Sequence, residues 1–245
     1  MFLYIGHRGT RIDYDENTIP AFEAAIVAGV DFIELDVQKT RDEKLIVFHD
    51  NTLKRITNHT GTVNELNYME IKSVKTKLTN EKIPLLSEVL NHFKNKTNFM
   101  IDLKDVGIRR DLIHLITGMK IVDQCVISGR DYNALSEIKD DFFKISVCYN
   151  ITKGNFPLKA FMKQGKKENL SFNPDMISLR SMLVKKEFIE ICVKNEIIPL
   201  AWDFLSYSNP IDKITALINN GIKGILFDNY KHISIIKKRR ALKAG

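Results

Sequence analysis

The sequence contains few cysteines and no pattern that would pair them. Its 245 residues include three, Cys125, Cys148 and Cys192, each within an apolar segment. No CxxC pair and no framework spacing connects them, which argues against a disulfide-stapled scaffold. We therefore expect three buried, reduced thiols, which suits a protein of the reducing cytoplasm.

Long hydrophobic runs are also lacking. The first apolar run, residues 1–5, ends before His7 and Arg8 and is too short for the hydrophobic region of a signal peptide. No later run approaches the roughly 20 residues that span a bilayer. We predict a protein that is neither secreted nor membrane-spanning, although peripheral membrane contact stays open. The modest 12 Gly and 6 Pro, with 44% hydrophobic residues, argue against a fibrous or disordered chain.

Acidic residues are outnumbered by basic ones. Lys+Arg total 37 against 30 Asp+Glu, a formal net charge of +7. This excess favours anionic partners such as phosphate esters or acidic lipid surfaces, although solvated lysines on helix faces explain much of it. Because no recognised nucleic-acid-binding motif accompanies the charge, a small-molecule partner is expected and nucleic acid is not.

Apolar, β-rich runs alternate with helix-period segments along the chain, which predicts an α/β fold with parallel strands. One domain spanning residues 1–245 is expected, because single (β/α) barrels commonly occupy about 250 residues. The predicted strands are residues 2–6, 31–37, 45–48, 98–103, 122–127, 143–149, 175–179, 196–201 and 223–227. One helix is predicted to begin near Ile19. Further helices are predicted at residues 86–93, 108–117, 132–139, 158–166, 184–195 and 211–219.

Two regions depart from this alternation. Residues 51–83 are rich in Thr, Asn and Lys, and we interpret them as a small insertion after an early strand, without a hydrophobic core of its own. The strand near Leu45, a ninth where a barrel needs eight, is expected to pair with its predecessor. The basic run Lys237 to Arg240 is expected to be a terminal helix or a frayed tail.

Acidic residues alternate with apolar ones on one predicted strand. The period of two places Ile33, Leu35 and Val37 on one face, and Glu34 and Asp36 together on the other. On a barrel strand the apolar set would face the helices, so both carboxylates would point inward and repel each other unless a cation neutralises them. Carboxylate oxygens suit Mg²⁺ or Ca²⁺, and solvated acids at a strand end are the simple alternative.

A second strand shows the same alternation. Asp102 and Lys104 share the face opposite Ile101 and Leu103. Asp102 could therefore complete a metal site. Lys104 could contact a phosphate oxygen, or it could form an ordinary salt bridge.

Two histidines end predicted strands and could overhang one site. His7 follows the first strand and His49 follows the third. Phosphodiester hydrolysis needs a base that activates the nucleophile and an acid that protonates the leaving alkoxide, and two imidazoles can divide these roles. Arg8, beside His7 and flanked by glycines, can bind a phosphate through its planar fork of donors.

The order of these motifs resembles the glycerophosphodiester phosphodiesterase family. The dense part consists of His7-Arg8-Gly9, Glu16-Asn17-Thr18, Glu34-Leu35-Asp36-Val37, Thr40-Arg41-Asp42, Val47-Phe48-His49-Asp50, Leu53-Lys54-Arg55-Ile56-Thr57 and Gly61. Weaker similarities follow at Ile83-Pro84-Leu85-Leu86, Glu88-Val89-Leu90, Asp102-Leu103-Lys104, Trp202, Gly221-Ile222-Lys223-Gly224-Ile225 and Asp228. The similarity thus extends over nearly the whole chain.

The resemblance implies a TIM (β/α)8 barrel with the small insertion at 51–83. It implies metal-dependent hydrolysis of glycerophosphodiesters to an alcohol and sn-glycerol 3-phosphate, with one divalent cation, Mg²⁺ or Ca²⁺. The implied roles are metal ligands for Glu34, Asp36 and Asp102, acid and base for His7 and His49, and substrate or phosphate contacts for Arg8, Lys104, Glu16 and Trp202. Which histidine is the acid stays open at this point.

This sequence departs from the family pattern at three positions. Asp102 stands where a Glu is usual, Asp15 replaces a common Pro, and Glu43 replaces a common Gly. The first change shortens the reach of a metal ligand by about 1.5 Å, which leaves the identity of the metal open.

Two rival functions remain at the level of sequence. One is another phosphodiesterase chemistry on the same barrel, such as a lysophospholipase D or a phosphoinositide phosphodiesterase. The other is a non-catalytic module whose basic surface binds anions. Head-group preference, a water or cyclic-phosphate route, and a monomeric or homodimeric state also stay open.

Overall fold

The computed structural model describes residues 1–244, with side chains to residue 242. Its strands are β1 Leu3–Gly6, β2 Phe32–Lys39, β3 Leu45–Val47, β4 Asn98–Leu103, β5 Cys125–Gly129, β6 Ser146–Asn150, β7 Met176–Arg180, β8 Ile198–Trp202 and β9 Gly224–Phe227. Its α-helices are α1 Ile19–Val27, α2 Tyr68–Lys72, α3 Leu86–Phe93, α4 Arg109–Gly118, α5 Tyr132–Asp141, α6 Leu158–Gly165, α7 Lys186–Lys194, α8 Pro210–Asn219 and α9 Lys231–Ala244.

Eight parallel strands within residues 1–244 close into a barrel in the order β1, β2, β4, β5, β6, β7, β8, β9. The ends meet where β1 pairs with β9, with Gly6 opposite Phe227. The ninth strand, β3, pairs antiparallel with β2 outside this ring, with Val47 opposite Val37. The predicted TIM barrel is therefore confirmed, and so is the pairing of the extra strand with its predecessor.

Period-two alternation divides each strand between two cores. Ile33, Leu35 and Val37 are buried against the surrounding helices, as predicted. Inside the barrel a second apolar cluster fills the lower part, formed by Leu3, Ile5, Met100, Val126, Cys148, Met176, Leu200 and Leu226. Asp102 lies two residues beyond Met100 on the same face, so the barrel interior changes from apolar to charged towards the carboxyl ends of the strands.

Helix α1 is closely packed against the loop that follows β1. Thr18 caps the helix by accepting a hydrogen bond from the amide of Ala21, and Pro20 occupies the first turn. Gly9 has a positive φ of 75°, and a Cβ there would lie 2.6 Å from the carbonyl carbon of Ala21. Only glycine fits this contact, which holds His7 and Arg8 at the mouth of the barrel.

The segment 51–83 contains a small hydrophobic cluster, so the expectation that it lacks a core is wrong. The cluster combines this segment with β3 and the residue after it, through Ile46, Phe48, Leu53, Val63, Tyr68, Ile71 and Ile83. The sequence pattern could not reveal it, because its apolar residues follow no helical or strand period. Helix α2 was not predicted either.

Two predicted strands begin later in the structure. Residues 122–124 form a 3₁₀ turn, so β5 begins at Cys125. Phe142 and Phe143 are exposed, and β6 begins only at Ser146. The C-terminal basic run lies within α9. Cys125, Cys148 and Cys192 are buried free thiols, as expected. Within residues 1–244 no helix is both long and apolar enough to cross a membrane.

Candidate active site

A polar cavity of about 350 Å³ opens at the carboxyl ends of the barrel strands. Eight of the nine predicted site residues line it, namely His7, Arg8, Glu34, Asp36, His49, Asp102, Lys104 and Trp202. The ninth, Glu16, does not line this cavity. The cavity has the size and position usual for the active site of a barrel enzyme.

Three buried carboxylates meet on one side of the cavity. Asp36 and Asp102 are paired residues of neighbouring strands, and Glu34 lies two residues earlier on β2. One oxygen from each of the three lies within 4.8 Å of the others. Three convergent oxygen ligands of this kind fit a hard divalent cation such as Mg²⁺ or Ca²⁺. Asp102 reaches the group despite its shorter side chain.

Protein cations neutralise part of this acidic group. Lys104 Nζ lies 2.6 Å from Asp36 Oδ1 and also binds Asp102, so the salt bridge considered as the alternative to a phosphate contact is present. Burial would raise the pKa of Asp36, but Lys104 and Arg8 outweigh it and hold that pKa below its usual range. Burial and the charge of Asp36 together raise the pKa of Glu34 to about 7. One buried carboxyl therefore lacks a sufficient counter-charge, which is what a bound cation would supply.

His7 is held by a carboxylate from the far end of the chain. Its Nδ1 lies 2.7 Å from Oδ1 of Asp228, which directly follows β9. The carboxylate accepts the Nδ1 proton, so Nε2 is the ring nitrogen left for other contacts. Burial alone would lower the pKa of His7, but the charge of Asp228 and this hydrogen bond raise it above 6.5.

His49 has a carboxylate partner of a different character. Its Nδ1 lies 2.6 Å from Oδ1 of the adjacent Asp50, and Arg55 Nε binds the other oxygen of Asp50 at 2.5 Å. Burial lowers the pKa of His49 below 6.5, with the charges of Arg8 and Lys104 acting in the same direction. The pKa values of the two imidazoles are thus shifted in opposite directions, upward for His7 and downward for His49.

Arg8 is anchored on both sides by carboxylates. Its Nη1 lies 2.6 Å from Glu16 and its Nε 3.1 Å from Asp36, while its backbone amide donates to Glu34 at 2.7 Å. Its backbone adopts a positive φ of 55°. Although Nε lies near Asp36, it is buried and makes no hydrogen bond to the described residues, so the guanidinium can still donate to a ligand.

Glu16 joins three arginines. It accepts hydrogen bonds from Arg8, Arg11 and Arg55, the last at 2.5 Å. Burial would raise the pKa of Glu16, but these cations lower it to about 2. Glu16 therefore orients the arginines that surround the cavity.

Several site residues were not selected from the sequence. Asp228, Asp50 and Asn17 each contact a predicted residue, Asn17 through a 2.8 Å hydrogen bond to Asp36. On the opposite wall, the unselected residues include Arg130, Asn150, Lys153, Arg180 and Asp203. Most of these lie at or just after a strand end, and that position is the signal by which they could have been found.

The cavity therefore combines an acidic group that can hold a cation, an arginine for an anion, and two imidazoles whose pKa values are shifted in opposite directions. An anionic ester bound here would meet positive charge and both a proton donor and a proton acceptor. This set of groups suits hydrolysis of a phosphate diester.

Known proteins support this interpretation. The profile of the glycerophosphoryl diester phosphodiesterase family matches residues 7–138, more than half of the chain. A glycerophosphodiester phosphodiesterase of Caldanaerobacter subterraneus subsp. tengcongensis is 29% identical over 96% of this chain and 98% of its own. A lysophospholipase D of Rattus norvegicus is 38% identical over 41% of this chain and 36% of its own.

Among solved structures, a phosphodiesterase of Oleispira antarctica in complex with the product sn-glycerol 3-phosphate superposes with a TM-score of 0.77. It shares 19% identity and covers 98% of this chain and 96% of its own. This likeness supports the barrel fold, and the profile match carries the assignment. The chain belongs to the glycerophosphoryl diester phosphodiesterase family.

Proposed function

We propose that this protein hydrolyses glycerophosphodiesters to an alcohol and sn-glycerol 3-phosphate. The observation that carries the proposal is the meeting of the Glu34–Asp36–Asp102 carboxylates with His7 and His49 in one cavity. Family membership supports the reaction class. The Oleispira antarctica phosphodiesterase was solved with its product sn-glycerol 3-phosphate, which supports the same product for this protein.

Glu34, Asp36 and Asp102 would hold one divalent cation. The raised pKa of Glu34 supports this, because the local cations leave that carboxyl short of counter-charge. When bound, a divalent cation would neutralise phosphate charge and orient the nucleophile. Mg²⁺ and Ca²⁺ both suit the oxygen ligands.

The two imidazoles would divide the proton transfers. His49, whose pKa is lowered, is neutral near pH 7 and would accept the proton of the nucleophile. His7, whose pKa is raised by the charge and hydrogen bond of Asp228, keeps its proton to higher pH than an ordinary histidine and would donate it to the leaving alkoxide. In this assignment His49 is the general base and His7 the general acid.

Arg8 and Lys104 would stabilise the negative charge of the phosphoryl oxygens. The nucleophile is either water or the substrate's own glycerol hydroxyl, which would form a cyclic phosphate that opens afterwards. Detection of a transient cyclic glycerophosphate by phosphorus NMR would establish the second route, and its absence from the first turnover onward would establish direct attack by water.

The reaction is tested by measuring glycerol 3-phosphate release from glycerophosphocholine and glycerophosphoethanolamine with Mg²⁺, Ca²⁺ or EDTA. We expect release that depends on the metal and falls by about 10²- to 10⁴-fold in His49→Ala. His114→Ala is the matched control, since His114 is exposed on α4 and lies outside the cavity. No release with any metal, or equal release by native protein and His49→Ala, would contradict the proposal.

A second candidate is hydrolysis of lysophospholipids. Two observations favour it: the similarity to a lysophospholipase D, and exposed apolar residues in the loops after β7 and β8. Met182, Leu183 and Leu205 are 67%, 42% and 44% exposed. An acyl chain could lie on these residues while the phosphate enters the cavity. Faster turnover of a long-chain lysophosphatidylcholine than of glycerophosphocholine would favour this candidate.

A further inference from the structure

The wall of the cavity formed by β5 to β8 contains polar groups without partners. Nε of Arg130, Oδ1 of Asn150 and Nε1 of Trp202 are buried, and none has a hydrogen-bond partner among the described residues. All three residues line the cavity. Buried polar atoms are rarely left unpaired unless a ligand or water completes them.

Arg130 is the clearest of these groups. It directly follows β5, and its guanidinium forms no ion pair with the side chains of residues 1–242. An arginine facing a cavity without a carboxylate partner is suited to a ligand that brings its own negative charge.

Two further cations lie on the same wall. Lys153 is exposed in the turn after β6 and makes no ion pair within the described residues. Arg180 ends β7, where its Nε lies 3.1 Å from Asp203 and its guanidinium lies 5.1 Å from the centre of the Trp202 ring. Asp203 is the acidic residue among the lining groups of this wall. Three cations therefore face the cavity against one carboxylate.

The opposite wall differs in its charge balance. There Arg8, Arg11, Lys104 and Arg55 are each paired with carboxylates of Glu16, Asp36, Asp50, Asp102 or Asp228. With Glu34 included, the wall with the metal ligands holds six carboxylates against these four cations and has no surplus positive charge, whereas the wall of β5 to β8 retains net positive charge. An anionic headgroup would therefore be favoured there over a cationic one such as choline.

We propose that Arg130, Lys153 and Arg180 form a second anion subsite, which binds a phosphate carried by the alcohol part of the diester. The inference rests on the proposed function, because the diester phosphate occupies the other wall, beside His7 and His49. The headgroup then extends across the cavity. A phosphate monoester suits the subsite better than a carboxylate does, because three cations face it and arginine binds phosphate oxygens in a bidentate manner.

The subsite predicts a preference between two substrates that differ in one phosphate. We would compare kcat/KM for glycerophosphoinositol and for glycerophosphoinositol 4-phosphate, following glycerol 3-phosphate release from both. The native protein should prefer the phosphorylated substrate by about tenfold or more, the effect of one to two charge-assisted hydrogen bonds. Added salt should reduce this preference, because Lys153 is exposed to solvent.

Arg130→Gln and Lys153→Gln should each lower the preference, Arg130→Gln by about tenfold. Arg130→Lys should recover part of the loss, since it restores the charge without the planar fork. The matched control is Lys159→Gln, which removes an exposed lysine outside the cavity and should leave the preference unchanged. Circular dichroism and thermal melting would verify that every variant is folded.

The inference is overturned if the native protein shows no preference for glycerophosphoinositol 4-phosphate. It is also overturned if Arg130→Gln lowers kcat/KM equally for both substrates. The latter result would place Arg130 at the phosphate that is cleaved. Calorimetric titration with inositol 4-phosphate and with inositol gives a readout that needs no turnover. Tighter binding of inositol 4-phosphate, weakened about tenfold by Arg130→Gln, supports the subsite even if the proposed reaction fails. Binding that is absent, or unaffected by Arg130→Gln, rejects it.

Discussion

Asp228 lies 2.7 Å from Nδ1 of His7, although 221 residues separate the two in the sequence. Closure of the barrel brings them together, because β9 pairs with β1 and ends one residue before Asp228. Burial would raise the pKa of Asp228, but His7 and the amide of Phe204 help to lower it to about 2. The carboxylate therefore stays ionised over the pH range in which His7 titrates.

We predict a bell-shaped dependence of kcat/KM on pH. The acidic limb should lie below pH 6.5, where His49 becomes protonated and can no longer accept a proton. The basic limb should lie above pH 6.5, where His7 loses the proton that it donates. Asp228→Asn removes the charge that raises the pKa of His7, so the basic limb should move down by about one pH unit or more.

The control for this experiment is Asp203→Asn, which removes a cavity carboxylate that binds Arg180 and not a histidine. It should leave both limbs in place. A basic limb that does not move in Asp228→Asn would mean that another group donates the proton.

The leaving group distinguishes the acid from the base. A p-nitrophenyl ester of glycerol 3-phosphate releases a phenolate that needs no proton, whereas glycerophosphocholine releases an alkoxide that does. We therefore expect His7→Ala to slow the hydrolysis of glycerophosphocholine by about 10²- to 10⁴-fold. Hydrolysis of the nitrophenyl ester should be slowed far less. His49→Ala should slow both substrates, since each needs an activated nucleophile. The opposite pattern would exchange the two roles.

The parts of this site that sequence could predict are those set by local periodicity. Alternation along β2 and β4 sufficed to place Glu34, Asp36, Asp102 and Lys104 on one face, because a strand alternates whatever lies around it. The partnership of His7 with Asp228 depends on barrel closure, and no local pattern encodes it. The hydrophobic cluster of 51–83 was missed for a related reason, because it also contains Ile46 and Phe48, which lie outside that segment.

Metal removal should expose the cost of burying Glu34. Its pKa of about 7 in the folded protein exceeds the ordinary 4.5, so its effect on stability is absent below pH 4.5 and grows as pH rises through 7. In EDTA, ionised Glu34 should cost on the order of 3 kcal/mol at pH 8. Glu34→Gln can retain the hydrogen bond from the Arg8 amide without the charge. It should therefore melt at higher temperature than the native protein at pH 8, and the gain should shrink at pH 5.

Added Mg²⁺ or Ca²⁺ should raise the melting temperature of the native protein above that of Glu34→Gln at pH 8. The native protein should gain melting temperature with metal concentration, while Glu34→Gln should gain little because one ligand charge is gone. If neither metal changes the melting temperature of the native protein, the three carboxylates are not a metal site. The matched control is Glu196→Gln, which alters an exposed carboxylate outside the cavity and should keep the native response.

Asp15 connects the segment 51–83 to the loop after β1, which begins with His7. Its Oδ2 accepts hydrogen bonds from the amides of Leu78 and Thr79 at 2.9 and 2.8 Å, and from the Thr79 hydroxyl at 3.1 Å. Proline at this position would have no side-chain acceptor for these bonds. The Asp15 side chain therefore attaches the insertion to the loop after β1.

Asp15→Ala should detach this part of the insertion and lower the free energy of unfolding by about 1–2 kcal/mol, because its three hydrogen bonds are lost. Hydrogen exchange at the amides of Leu78 and Thr79 should accelerate, whereas exchange at the Lys77 amide, which donates to the carbonyl of Ile56, should change less. Asp15→Asn keeps one acceptor oxygen and should give an intermediate effect. Unchanged exchange at both Leu78 and Thr79 in Asp15→Ala would show that the hydrophobic cluster alone holds the insertion in place.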